Sequence, residues 1–399
     1  MQVILAALGG GANETLTNET TKALREAELI LGAGRLLESL GEEFSQNRVE
    51  AVRPEEILKA IQGSGKNAVV VYSGDTGFYS GARLLLPLLD RAGIPARVLP
   101  GLSSVQLMAA RLGRPWQDWH LVSAHGLACD PVEAVCGGKS VLFLTGGRDT
   151  GPAQLCRKLT EAGLGALPAA VGENLSLPNE RITRGTAEQL ARGEFDTLAV
   201  LLAEAAPRRS PRTPGWPDDT FCRTKVPMTK QEVRSAVLAK LALAPGETAW
   251  DIGAGTGSVS VEMAYANGGA PVYAVECVPE ACRLIRQNRE ALSAWNLHLV
   301  EGYAPEALED LPAPDAVFIG GSRGRLAEIL DRVFEKNPKA RVCVSAIALE
   351  TLEGAAAALR ARGMEPEITQ IAVSRTRAAG GLHLLMANNP VFLIAGNCL

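Results

Sequence analysis

Long apolar runs are missing from this sequence. None reaches the roughly 18 residues that a membrane-crossing helix needs, so no membrane span is expected. Histidine is scarce, with only His120, His125, His298 and His383. None of them pairs with a cysteine at ligand spacing, and the eight cysteines form no C-x-x-C pair, so no metal site is expected. Several of the cysteines fall in apolar runs and read as reduced, mostly buried thiols of a cytoplasmic protein. No Ser-His-Asp set, metal cluster or paired acid/base motif is visible. There is no basic excess either. The 40 Lys and Arg face 44 Asp and Glu, a net charge of −4, so a nucleic-acid coat is not expected. Met1 to Leu8 lacks the basic stretch and cleavage pattern of a signal peptide and already reads as a core strand.

What is present points to two domains, the soft expectation for 399 residues. The stretch Thr248 to Glu276 organises the second of them. Ala249, Trp250 and Ile252 read as a short buried strand that contains Asp251. A turn follows with Gly253, Gly255, Thr256 and Gly257, and Val259, Val261, Met263 and Ala264 open a helix. A second apolar run, Val272 to Val275, ends in Glu276. Strand, glycine turn, helix, strand and acid make one βαβ unit that binds a nucleoside at its carboxyl edge. An acid at the second strand's tip can accept both ribose hydroxyls, each charge-assisted bond contributing roughly 1.5–3 kcal/mol. A nicotinamide fingerprint would need glycine where Ser258 stands. The spacing Gly-x-Gly-x-Gly after an acid instead resembles the S-adenosylmethionine site of Rossmann-like (class I) methyltransferases. The plain alternative is an ordinary glycine-rich turn.

The first half also alternates strands and helices. Strands are expected at 2–9, 67–74, 96–104, 119–126, 140–147 and 197–203. A helix with Leu24, Ala27 and Leu29–Leu31 as its apolar positions is expected after the first glycine turn, Gly9 to Gly11. Polar motifs lie at the strand ends, where α/β proteins place ligands. These are G-D-T-G-F-Y-S-G (74–81), P-G-L-S-S (100–104), S-A-H-G (123–126) and G-E-N-L-S-L-P-N-E-R-I (172–182). In this order they resemble the tetrapyrrole (corrin/porphyrin) methylases, and most closely the branch that methylates C5 of precorrins. The resemblance spans residues 1–205. It implies a two-lobed α/β (class III) fold with S-adenosylmethionine folded in the cleft between the lobes. It also implies cofactor contacts from Gly74, Asp75, Thr76, Ser103 and Ser104. The family usually opens with G-x-G-P-G-D. Here Ala7 replaces the first glycine, Gly10 the proline, and no aspartate follows, with Asn13 as the nearest polar group. Read from the residues alone, Asp75 is a turn-forming side chain and His125 a strand-end histidine.

From Pro207 to Pro227 five prolines and several arginines interrupt every periodicity. That stretch reads as an exposed, semi-rigid linker from which no core can be built. Domains are therefore expected at 1–207 and 228–399, with the linker at 208–227. Thr229 and Glu232 fit a helix-capping box, and Val233, Val237, Leu238 and Leu241 form the helix face. P-M-T-K-Q-E-V-R (227–234) together with D-I-G-A-G-T-G-S-V-S-V-E (251–262) resembles the decarboxylating precorrin-6B C15-methyltransferase family. In that family the leading segment lies over the active site, and the resemblance covers about residues 215–399. Tyr303 and Ala304, after the third strand, are placed to pass an adenine. At the end of the fourth strand, Gly320, Gly321, Ser322 and Arg323 stand where amine methyltransferases carry (N/D)-P-P-(Y/F). A small glycine-rich platform with an arginine suits a bulky planar substrate bearing carboxylates. Two final strands, 368–375 and 390–396, are expected as an antiparallel pair closing a seven-stranded mixed sheet.

The resemblances imply S-adenosylmethionine at one site per domain and a precorrin or cobalt-precorrin as substrate. They also imply a homo-oligomer without nucleic acid or membrane. Thr229, Lys230, Arg234, Ser322 and Arg323 are the candidate catalytic residues, the cations serving to hold substrate carboxylates. As plain residues, the three cations are solvated charges on helix and loop faces. The alternatives are methylation of an RNA or a small metabolite, or a first domain that only carries tetrapyrrole.

Overall fold

The computed structural model describes residues 1–44, 46–125, 129–147, 149–207 and 213–397. Gly126 and linker residues 208–212 lie outside the described residues. The chain divides into two compact units. One is Met1–Cys129, Lys139–Thr160 and Gly165–Glu204; the other is Asp130–Gly138, Glu161–Leu164 and Ala205–Leu399.

In chain order the first 204 residues form β1 (Val3–Ala7), α1 (Asn18–Glu26), β2 (Leu29–Gly32), α2 (Gly34–Ser39), β3 (Asn47–Glu50), α3 (Pro54–Ser64), β4 (Ala68–Tyr72), α4 (Ala82–Arg91) and β5 (Ala96–Leu99). Then come α5 (Ser104–Leu112), β6 (His120–Ser123), α6 (Pro131–Cys136), β7 (Val141–Leu144), α7 (Pro152–Leu159), β8 (Pro168–Glu173), β9 (Arg181–Thr186), α8 (Ala187–Leu190) and β10 (Ala199–Ala203). One sheet has the order β3-β2-β4-β1-β5 and is parallel throughout. Its inner strands β1, β2 and β4 are apolar on both faces because helices cover both. Leu5, Leu31 and Val70 pack with Ile57, Ile61, Leu85 and Leu89 from α3 and α4. Ala6, Ile30, Val69 and Val71 pack with Leu24 and Leu37 from α1 and α2. The second sheet, β6-β7-β10-β8-β9, is mixed, with only β6 and β7 parallel. One expectation is corrected here. Leu29–Leu31 is not helical but lies in β2, in register with Ala68–Val70. Helix α1 ends at Glu26 because Ala27 is extended, and the apolar triplet is then buried from both sides.

The second unit continues with α9 (Gln231–Leu241), β11 (Ala249–Ile252), α10 (Ser258–Ala266), β12 (Val272–Glu276), α11 (Pro279–Ala291), β13 (Leu297–Glu301), β14 (Ala316–Ile319), α12 (Leu326–Lys336), β15 (Arg341–Ala346), α13 (Leu349–Arg360) and β16 (Glu367–Ile371). A hairpin, β17 (Ser374–Ala379) and β18 (Leu382–Ala387), precedes β19 (Val391–Gly396). The sheet order is β13-β12-β11-β14-β15-β19-β16, parallel except for β19, which runs antiparallel to both its neighbours. Ala249, Ala274 and Phe318 face α9 and α10, while Trp250, Ile252 and Val317 face α12 and α13. β16 stops at Ile371 rather than 375, because Ser374 onward pairs within the hairpin.

The expectation of an exposed linker without a core is also corrected. Trp216 and Phe221 are buried in the same cluster as Val237 and Leu241. The Trp216 ring packs edge-on against Tyr265 at 4.9 Å. Sequence pattern cannot show this, since single aromatics in a proline-rich segment have no period.

Candidate active site

The carboxyl ends of β11, β12, β13 and β14 open into a cavity of about 610 Å³. Thr229, Lys230, Gly253, Gly255, Glu276, Tyr303, Ala304, Gly320, Ser322 and Arg323 all line it. The close approach of two strand ends forms its floor. A Cβ on Gly253 would lie 2.6 Å from the carbonyl oxygen of Gly321, and the φ of Gly253 is +71°, so only glycine fits there. Glu276 sits at the tip of β12 and is 8% exposed. Its carboxylate accepts hydrogen bonds from the backbone N–H groups of Gly255 (2.8 Å), Cys277 (2.8 Å) and Val278 (2.9 Å). Those bonds aim the acid and tie it to the glycine turn, while its edge stays on the cavity.

Three of the predicted residues lie behind the cavity wall. Asp251 is fully buried, and Ser260 on α10 donates to its Oδ2. Its Oδ1 has no partner among the described residues. Burial pushes its carboxyl up to about 7; the Ser260 bonds oppose the rise and the nearby Glu276 charge adds to it. Thr256 is buried, and its hydroxyl likewise lacks a partner among the described residues. Gly257, with φ +75°, caps the start of α10.

Arg234 is a correction. It is wholly buried and does not line the cavity. Its Nε donates to Glu262 (2.8 Å), its Nη1 to Asp218 (2.9 Å) and to the Thr229 carbonyl, and its Nη2 to the Trp216 carbonyl. Its guanidinium also lies 4.7 Å from the centre of the Phe221 ring. A group so engaged cannot receive a substrate carboxylate. Instead it fixes the segment that carries Thr229 and Lys230. The capping box is corrected too. Lys230 is the cap residue and makes no side-chain cap bond, while Glu232 pairs with Arg375 at 2.7 Å. The Gln231 N–H donates to Asp218 instead, at 3.0 Å. Burial would raise the Asp218 carboxyl, but the Arg234 bond and the charges of Arg234, Arg375 and Lys230 hold it below the usual range.

Arg323 lies over the Tyr303 ring at 5.6 Å, and Arg325 pairs with Glu306 (2.7 Å) and Glu328 (2.6 Å). The sequence reading missed Ser345, Ile347, Asn388, Asn389 and Val391, which form the cavity's far wall. Asn388 and Asn389 follow the hairpin, which no periodicity announced.

In the first unit the ends of β1, β4 and β5 meet at glycines. Gly9 and Gly74 exchange backbone hydrogen bonds, 3.1 Å and 2.8 Å. Asp75 accepts from the N–H groups of Gly77 (2.8 Å) and Gly101 (3.0 Å), so it joins two loops. Thr76 is buried and donates to the Leu99 carbonyl at 3.0 Å. Ser103 and Gln106 form a capping box on α5, which Ser104 begins. These side chains therefore build a backbone platform. The departures from G-x-G-P-G-D have physical counterparts. A Cβ on Gly10 would lie 2.1 Å from the Ser176 Oγ and 2.8 Å from the Leu175 carbonyl, so proline cannot stand there. A Cβ on Gly101 would lie only 2.6 Å from the Ala7 methyl. A second cavity of about 350 Å³, not foreseen from sequence, lies at the end of β7 beside the start of α7. Thr145, Gly146, Arg157 and Asp196 are among its lining residues. His125 packs against Gly146 so closely that a Cβ there would meet its Nδ1 at 1.9 Å.

Two family models match the chain. Residues 2–191 match the tetrapyrrole (corrin/porphyrin) methylases, and residues 219–396 match the precorrin methyltransferase domain. A relative from Sinorhizobium sp., named precorrin-6Y C(5,15)-methyltransferase [decarboxylating], is 34% identical over 312 residues. That match covers 77% of this chain and 75% of the relative. The chain belongs to the precorrin-6Y C(5,15)-methyltransferase (decarboxylating) family. A Pyrobaculum calidifontis protein, named probable cobalt-precorrin-6B C(15)-methyltransferase (decarboxylating), is 43% identical over 46% of this chain and 95% of its own. A crystal structure described as precorrin-6y C5,15-methyltransferase from Geobacter metallireducens GS-15 is 38% identical. It covers 47% of this chain and 97% of its own, with a TM-score of 0.44. Among the described residues no helix is long and apolar enough to cross a membrane.

Proposed function

We propose that this family member methylates a precorrin, or its cobalt form, at C5 and at C15 and removes the ring C acetate carboxylate, in building the corrin ring of cobalamin. The first domain, about residues 1–207, is a two-lobed class III methylase for C5. The second, residues 228–399 after the segment 208–227, is a class I methyltransferase for C15 and the decarboxylation. Each holds one S-adenosylmethionine, and the enzyme works in the cytoplasm as a homo-oligomer.

The observation that carries this reading is the Glu276 carboxylate, presented beside a glycine turn to a cavity that Thr229, Ser322 and Arg323 also line. The cofactor supplies a methyl already activated on sulfonium, so no strong base is needed. The chain's task is alignment, which can contribute roughly 7–11 kcal/mol. Glu276 holds the ribose, the backbone around Gly253 and Gly320 approaches the methionine part, and Lys230 and Arg323 hold carboxylates. In the first domain the platform of Gly74, Asp75, Thr76, Ser103 and Ser104 receives the cofactor.

The test is to incubate the full chain with S-adenosylmethionine and precorrin-6B and to weigh the product. Two added methyls and one lost carbon dioxide are expected. A substrate recovered with neither change would refute the assignment.

A further inference from the structure

The cavity of the second unit distributes its charge unevenly. Its lining holds three cations, Lys230, Arg323 and Arg325. The two arginines are engaged with partners in the protein. Arg323 lies over Tyr303, and Arg325 is paired with Glu306 and Glu328. Tyr303 and Glu306 both follow β13, the strand at one edge of the sheet. Arg323 and the Arg325–Glu306 pair thus lie toward the β13 side, whereas β15 and β19 lie on the other side of β14. Lys230 lies within electrostatic reach of Asp218 and helps hold that carboxyl ionised. The far wall, built by Ser345, Ile347, Asn388, Asn389 and Val391, carries no charge at all. Ile347 is 66% exposed, an apolar side chain left open to the cavity.

We propose that this uncharged wall receives the acetate that is lost, while Lys230 and Arg323 hold carboxylates that stay. The inference rests on the decarboxylating methyltransferase reading above and names the part of that site which selects the departing group. A carboxylate bound to a cation is stabilised as an ion, and that stabilisation must be given up as carbon dioxide forms. A carboxylate that the bound macrocycle presses against Ile347, Val391 and neutral amides gains no counter-charge there, so its ionised ground state is less stable than that of a carboxylate held by a cation. In the step itself the bond between the acetate methylene and its carboxylate breaks and carbon dioxide leaves. The electron pair passes into the conjugated C=N system of the macrocycle, and a proton from solvent turns the methylene into methyl. One carboxylate and one proton thus give one methyl and one carbon dioxide.

A cation placed on the wall should hold the carboxylate back. The full chain is assayed with S-adenosylmethionine and precorrin-6B, measuring carbon dioxide released per methyl transferred to C15. In Ile347→Lys and Asn389→Lys this ratio should fall at least tenfold, whereas Ile347→Met and Asn389→Gln should keep it within twofold of the native chain. Lysine variants with the native ratio would overturn the inference, and so would neutral variants whose ratio falls as far. Loss of both reactions in the lysine variants would also overturn it, because the wall would then support the whole macrocycle rather than one carboxylate. A native chain that performs neither reaction would instead remove the underlying functional reading.

Discussion

Asp251 and Glu276 end adjacent strands, yet their surroundings give them opposite tasks. Glu276 is ringed by three backbone N–H donors at the cavity edge. Asp251 is fully buried with Ser260 as its donor residue, and burial lifts its carboxyl to about 7. An unfolded aspartate titrates near ~3.9. Between about pH 4 and pH 7 the unfolded chain therefore releases a proton that the native chain keeps. Stability must fall as pH rises through that window and then level off. Asp251→Asn retains an acceptor for Ser260 but cannot ionise. Apart from a constant offset, the urea midpoint of Asp251→Asn should gain on that of the native protein from pH 4 to 7 and then run parallel to it. A difference that stays flat from pH 4 to 8 would show that Asp251 keeps an ordinary carboxyl in the fold. Both acids could be located in the sequence because strand, turn and helix have fixed lengths around them, but the cofactor contact expected of Asp251 was misread, since the fold buries it off the cavity. The role of Arg234 was not legible. Its partners Asp218 and Glu262 come from either side of it in the chain, and only the fold reveals that all three are buried together.

Helix α9 shows how an element's neighbours decide what its sequence means. Its apolar face was readable, because Val233, Val237, Leu238 and Leu241 repeat at helical spacing and are buried as expected. Its start was misread, because Thr229 and Glu232 satisfy a local capping pattern that the fold replaces with Asp218. The segment before it was misread for the same reason, since Trp216 and Phe221 find their apolar partners only in tertiary contact. Arg234 holds this arrangement through Asp218, Glu262 and two carbonyls. Removing one partner of a buried ion pair leaves uncompensated charge and costs about 3–5 kcal/mol. Arg234→Met should lower the second unit's stability to denaturant by that order. Arg234→Lys should not rescue it, since one ammonium cannot match a planar fork of donors. A loss below about 1 kcal/mol in Arg234→Met would mean that the network is not what fixes α9 and the segment before it.

For the whole molecule, alternation of strands and helices was enough to recognise α/β architecture in both halves, because strands covered on two faces read as continuous apolar runs. The hairpin escaped because Ser374–Ala379 and Leu382–Ala387 are exposed throughout, so no buried face imprints a period on them. The proposed function requires two cofactor sites per chain, one in each unit, and single substitutions should separate them. Glu276→Ala removes the acid that would grip the ribose in the second unit. Losing two charge-assisted bonds of roughly 1.5–3 kcal/mol each weakens binding by about a hundredfold or more. Gly101→Ala acts in the first unit, where the new Cβ would lie 2.6 Å from the Gly74 carbonyl and 3.1 Å from the Gly9 N–H, forcing apart the ends of β1, β4 and β5. Calorimetric titration of the full chain with S-adenosylmethionine should give two equivalents for the native protein and one tight equivalent for each variant. The double variant should retain no tight site. A native stoichiometry of one, lost entirely in Glu276→Ala, would confine the cofactor to the second unit. The first unit would then be left with tetrapyrrole binding alone.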